Sequence, residues 1–201
     1  MILLESNKKG IVSSAKDELG SFYNSDYKYI LCLDDDLESV MEKVDDKTIK
    51  LVENLDKFIS TSFVETEKKN LNIWGVSAFH NPFFLSNNIS TNLKYICGAF
   101  FGLIIDKEKS ILQTQFNHYE DFEFSILHFL RDGGVLRFNK YCIKTKYFDH
   151  GGICDSYGGL ENRKKDMKIA GKRFIELYPK YSRLIEKKYG FDLRLRPIKK
   201  K

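Results

Sequence analysis

The chain has 201 residues, 42% apolar and 14% aromatic, with 33 Lys/Arg against 28 Asp/Glu and a net charge of +5. That length suits one domain of ordinary size, and the aromatic content excludes a disordered or low-complexity chain. No apolar run approaches a membrane span, and the apolar start of MILLESNKKG is too short for a secretory signal.

In chain order, Ile2–Leu4 reads as a short strand and Ser13–Tyr23 as a helix interrupted by Gly20. Tyr29–Leu33 (YILCL) is a continuous apolar run of the kind buried parallel strands show, and it stops at Asp34-Asp35-Asp36. Residues 47–67 carry Ile49, Val52, Leu55, Ile59 and Phe63 at spacings of three or four, which predicts one long helix. Asn72–Val76 is a strand, and Leu93–Ile105 is one or two strands with Gly98 and Gly102 permitting close backbone approach. Tyr119–Leu130 is helical, with Phe122, Ile126 and Leu130 as its expected core face, and His128 in mid-helix reads as structural. Val135–Phe138 and Ile143–Tyr147 are strands after Gly133-Gly134. Arg163–Tyr178 is a helix, Pro179 interrupts, a second helical stretch runs to about Lys188, and Arg194–Lys201 is the mobile tail. Alternating strands and helices without repeats predict a single α/β domain over residues 1–201.

The charge is uneven. Residues 163–201 hold 15 Lys/Arg and four Asp/Glu, so a basic helical C-terminal segment follows an acidic body. A polyanionic partner such as nucleic acid fits this, as does a solvated helix face. The four cysteines, Cys32, Cys97, Cys142 and Cys154, have no CxxC spacing and read as free thiols in a reducing, cytoplasmic compartment.

The most informative local feature is the carboxylate cluster at the end of YILCL. Ligands in open α/β sheets bind beyond the carboxyl ends of strands. In extended geometry Asp34 and Asp36 share one side, and a hard divalent ion, Mg2+ or Mn2+, would relieve their repulsion. The alternative is an acidic turn that caps the next element. Glu120-Asp121 opens a helix, where a carboxylate is kept ionised and suits a general base, or is a plain helix start. His150, beside Gly151-Gly152, is placed to reach a metal or a phosphate, or is a turn histidine. Arg163 is placed to grip a diphosphate, or decorates a helix end. Phe79, Phe83 and Phe84 read first as core residues, second as an apolar wall for a substrate.

Taken in order, Asn7-x-x-Gly10, a helix, a strand ending in Asp34-x-Asp36, the Glu120-Asp121 pair and the late His150 resemble the GT-A family of nucleotide-sugar glycosyltransferases. Within that fold, WGVSAFHNPFFL (Trp74–Leu85), ISTNLKYICGAFFGLI (Ile89–Ile104), HYEDFEFSILHFLRDGGVLRFNKYCIKTKY (His118–Tyr147) and the following glycine-rich loop look most like the TET-associated, base-J-type DNA glycosyltransferases. The likeness covers roughly residues 28–196.

The resemblance implies a GT-A-like (Rossmann-like) mixed sheet flanked by helices. It implies that Asp36 and Asp34 hold a Mn2+ or Mg2+ ion bridging the donor diphosphate, with His150 as the late metal or diphosphate ligand. Asp121, with Glu120, would deprotonate the acceptor hydroxyl, Gly98 would line the sugar pocket, and Lys16 and Arg163 would face the diphosphate. Lys16-Asp17 stands where many relatives carry Arg-Asn. The implied donor is a UDP-sugar, UDP-glucose or a relative. The implied acceptor is a hydroxymethylpyrimidine in DNA of viral or phage type, with no membrane partner. Only 33 residues precede Asp34, so the nucleotide-binding unit of the family is expected to be shortened here. Two alternatives are a degenerate, non-catalytic nucleic-acid-binding module and a GT-A transferase with a protein or glycan acceptor.

Overall fold

The computed structural model describes residues 26–145, 160–187 and 190–198. Its elements are β1 (Tyr29–Leu33), β2 (Leu37–Lys43), β3 (Ile49–Leu51), α1 (Leu55–Lys68), β4 (Ile73–Ser77), a 3-10 turn (Pro82–Phe84), β5 (Ile89–Ser90), β6 (Phe100–Ile104), α2 (Glu120–Asp132), β7 (Leu136–Thr145), α3 (Leu160–Leu177), β8 (Ser182–Lys187) and β9 (Gly190–Leu195). The main sheet runs β1-β6-β4-β7-β2-β3, with β5 added to β7. It is mixed: β4 and β7 are parallel, and the other pairs are antiparallel. The chain is thus α/β, with helices on a mixed sheet.

The sheet is forced to curl. A flat sheet would set β1 and β2 four strand spacings apart, about 19 Å. The chain from Leu33 to Leu37 reaches about 14 Å at full stretch, and it is folded further by a turn in which Leu37 N donates to Asp34 O at 3.3 Å. Leu31 of β1 and Leu37 of β2 accordingly pack on the same apolar cluster. That cluster joins Phe58 and Phe63 of α1 to Trp74 and Val76 of β4. Ile73 points the other way, into a second cluster with Phe101, Leu103 and Phe124 of α2, as the alternation of a pleated strand requires. A third cluster, built on Ile126, Phe174, Tyr178 and Leu193, welds α2 to α3 and the β8–β9 hairpin.

Several expectations are corrected. β1 pairs antiparallel with β6, and among the described residues it is a sheet edge. The aspartates are a turn, so the extended alternation that would put Asp34 and Asp36 on one side does not hold. The helix expected from residue 47 starts at Leu55, because Asn54 caps it by accepting from Lys57 N at 2.8 Å, and Ile49 belongs to β3. Within the 93–105 span only Phe100–Ile104 is strand. The two strands expected around Phe138 and Ile143 are one continuous β7. Leu130 is 49% exposed, and the buried face of α2 is Glu123, Phe124, Ser125, Ile126 and His128. The second C-terminal helix is a β-hairpin, and Arg194 lies inside β9 rather than in a loose tail. The expected elements at Ile2–Leu4 and Ser13–Tyr23 lie outside the described residues.

Candidate functional site

The strand registers bring the ends of distant segments together. Leu33 is opposite Phe100, so Asp34 follows beside Ala99, and its amide donates to Ala99 O at 3.1 Å. Gly75 is opposite Phe101, which sets Ser77 at the same end of the sheet. Leu37 is opposite Thr145, which brings the last residue of β7 to the far side of the aspartate turn.

From the other face, α2 delivers Asp121 to this end. Its Oδ2 accepts from the Tyr95 hydroxyl and from Gly98 N at 3.4 Å, and its Oδ1 accepts from Phe122 N at 3.0 Å. Ser125 locks helix to loop: its hydroxyl donates to Asp121 O at 2.7 Å and accepts from Ile96 N at 2.9 Å. Tyr95 stacks on Phe122 with centroids 4.3 Å apart. Burial, and then the Asp121 charge, push the Tyr95 hydroxyl well above its usual range, so it remains a neutral donor. Tyr119, which precedes the helix, sits in the left-handed region at φ 66°, a conformation that costs a non-glycine residue energy.

Asp34, Gly98 and Asp121 therefore meet on one segment, Tyr95–Ala99. The Cys97 thiol registers their charge: burial first, then Asp121, with Asp34 adding, raise it to about 11, so it is no nucleophile at neutral pH. Asp36 completes the turn. Its Oδ1 is buried with no hydrogen-bond partner, as is the Thr145 hydroxyl. Burial, and then the neighbouring Asp35, raise the Asp36 carboxyl above its ordinary range. An orphaned carboxylate oxygen is the kind of group a hard cation would satisfy. Among the described residues, no group of three or more His, Cys, Asp or Glu is placed to hold a metal.

Arg163, half-buried in α3, lies within electrostatic reach of His118, just before α2. Its charge, after burial, lowers the pKa of His118, against the pull of Asp166. Glu120 is half-buried at the first position of α2. Lys16 and His150 lie outside the described residues, as do Asn7 and Gly10. Phe79, Phe83 and Phe84 are 67%, 73% and 68% exposed, which removes them from the core and displays them on the loop after β4. A cleft of about 360 Å3 beside Tyr27, Asn72 and Ile105 lies at the opposite end of β1 and contains none of the site residues.

Sequence reasoning missed Tyr95, Ser125 and Glu123. The last is a fully buried carboxylate that accepts from Gln115 N at 2.6 Å, Phe116 N at 3.2 Å and the Tyr178 hydroxyl at 2.7 Å. Its one signal was a glutamate between two phenylalanines on the apolar side of α2. Cys32, Cys97 and Cys142 are free thiols. No helix among the described residues is long and apolar enough to cross a membrane.

Comparison with protein-family models, with curated proteins and with solved structures finds no match for this chain.

Proposed function

We propose that the chain is a metal-dependent GT-A-like glycosyltransferase that moves a sugar from a nucleoside diphosphate donor, UDP-glucose or a relative, to a hydroxymethylpyrimidine in DNA. One observation carries the reading: Asp34 and Asp121, far apart in the chain, are both hydrogen-bonded to the segment Tyr95–Ala99. The reading asks two things of their neighbourhood. A diphosphate leaves with high negative charge, which a divalent ion held by Asp36 and Asp34 would stabilise. A primary alcohol is a poor nucleophile at neutral pH, so a carboxylate must take its proton as the new bond forms, and Asp121 is held for that role. Glu120 opens the same helix, and Arg163 acts on His118 just before it. A base in duplex DNA would have to leave the stack to reach Asp121.

The test is transfer of radiolabelled glucose from UDP-glucose in Mn2+ to hydroxymethylated and to unmodified DNA. Label is expected in the hydroxymethylated DNA alone and is lost in Asp121→Asn. Absence of label together with absence of calorimetric heat on UDP addition in Mn2+ overturns the proposal.

A further inference from the structure

β7 carries three cations, and two of them face glutamates of β2: Lys140 Nζ lies 3.3 Å from Glu42 and Lys144 Nζ 3.2 Å from Glu38. Arg137 has no carboxylate partner among the described residues. Its Nε donates to Asn139 Oδ1 at 2.7 Å, and Asn139 is itself fixed by donating to Asn88 Oδ1 at 2.7 Å and to Ser90 Oγ at 2.6 Å. Ser90 is the cross-strand partner of Arg137 in the β5–β7 register. A neutral amide network therefore aims the guanidinium, and its two terminal nitrogens meet no protein acceptor among the described residues.

A second cation lies within electrostatic reach of the first. The segment Thr91–Ile96 crosses the same strands: a Cβ on Gly134 would run into Thr91 O, and one on Gly75 would meet Ile96 Cγ2 at 2.7 Å. Gly75 is the Cα partner of Arg137 in the β4–β7 pair. Lys94 lies on this segment with its side chain exposed and has no carboxylate partner among the described residues. Partial desolvation of this surface side chain, and then the charge of Arg137, depress its ammonium, and burial depresses the guanidinium. Two cations that act on each other without a counter-charge repel, a cost that an anion bound by both would reverse.

We infer that Lys94 and Arg137 form a binding subsite for a phosphoryl group. The guanidinium supplies a planar fork and the ammonium a point charge, the pairing that suits phosphate oxygens. The stretch between β4 and β5 that holds Asn88 also displays Phe79, Phe83 and Phe84, stacking surfaces of the kind that accompany phosphate contacts on single strands. The subsite does not depend on sugar transfer.

The test uses the full chain with three phosphoryl sources at constant ionic strength: inorganic phosphate, UDP without metal, and a fluorescein-labelled single-stranded oligonucleotide. Thermal midpoints are read for the first two and anisotropy for the third. At least one source is expected to bind. Its affinity should fall about tenfold in Lys94→Gln and in Arg137→Gln, and Arg137→Lys should restore part of it. For the oligonucleotide, the salt slope should fall by about 1 per cation removed. Response to UDP alone assigns a nucleotide, and response to the oligonucleotide assigns a nucleic-acid backbone; both uphold the subsite. No response in the unaltered protein to any source, or an equal response in Lys94→Gln and the unaltered chain, overturns it. Inorganic phosphate and the oligonucleotide are read without any transfer step, so loss of transfer and loss of this subsite are read separately.

Discussion

Asp121 Oδ2 lies 3.4 Å from the amide nitrogen of Gly98, 23 residues earlier in the chain. The contact makes the first turn of α2 and the loop before β6 one unit, and the Tyr95 hydroxyl closes it on the same oxygen.

Removing that hydroxyl separates holding the carboxylate from being the carboxylate. A hydrogen bond to a charged group contributes about 1.5–3 kcal/mol, so Tyr95→Phe should lose about that much stability in urea unfolding. Its transfer rate should fall through misorientation. Asp121→Asn keeps an oxygen for Tyr95 to bond but sets its NH2 against Phe122 N and removes the proposed base, so the transfer rate should drop about 10²–10⁴-fold. If Tyr95→Phe proves the slower of the two in transfer, Asp121 is not the base.

The Asp36 carboxyl is raised in the fold by burial and then by Asp35. A raised carboxyl is bound more tightly by its proton in the folded state. Its contribution is therefore most favourable below the ordinary carboxylate pKa and is lost as pH rises through the folded value. At neutral pH the charge is a net cost that a divalent cation removes. Asp36→Asn should raise the thermal midpoint in EDTA at pH 7 and abolish any rise produced by Mn2+. A variant that melts lower in EDTA and keeps the Mn2+ increment would show that Asp36 holds no ion.

How far the sequence revealed this molecule depends on which interactions are local. The apolar runs of β1 and β4 and the spacing of α2 and α3 are visible in any window of ten residues. β2 (LESVMEK) was not, because Glu38 and Glu42 make it look polar until Lys144 and Lys140 are set across from them. The C-terminal hairpin was misread as a helix because its pairing is not local: the register sets Leu184 against Leu193 and buries the latter at 3% exposure. At the site, Asp34 and Asp121 were legible as carboxylates at element ends. Tyr95 and Ser125 were not, since each is defined by a partner 26 or 29 residues away. Arg137 looked like any cation in a strand, and only the unequal pairing along β7 distinguishes it.

His128 turns burial into pH dependence. It is fully buried in α2, 3.0 Å from Asp132, and burial pulls its imidazole down to about 4 from 6.5. The Asp132 carboxylate pulls the other way, while Arg131 and Lys109 reinforce the fall. A depressed histidine stays neutral in the folded chain while the unfolded chain takes up a proton. Stability should therefore fall as pH drops from about 6.5 to about 4, by about 3 kcal/mol in all. Burial also opposes ionisation of Asp132, but hydrogen bonds from His128 and Arg131 outweigh it, so loss of that carboxylate charge comes only at lower pH. Calorimetric midpoints between pH 7 and pH 4 should show the slope in the unaltered chain and a flatter line in His128→Gln. Equal slopes would mean the imidazole is protonated in the fold.

Gly102 tests the packing that places the whole site. It faces Trp74 in the β4–β6 register, and a Cβ there would overlap the indole ring. The indole cannot retreat: Trp74 is fully buried, and its rings meet Phe58, Phe63, Phe100 and Phe138 edge-on at centroid distances of 5.4–6.1 Å. One added methyl must therefore push the strands apart, at a cost of about 1–3 kcal/mol or more. Gly133→Ala is the control. Gly133 has open space around it but a φ of 75°, so its penalty is backbone strain alone, about 1 kcal/mol. Urea unfolding should rank Gly102→Ala below Gly133→Ala, and only the former should alter the near-ultraviolet circular dichroism of the single tryptophan. β6 begins where the Tyr95–Ala99 segment ends, so displacement at Gly102 should also weaken UDP binding in Mn2+. Intact tryptophan dichroism in Gly102→Ala would show that the indole does not fill the space over this glycine.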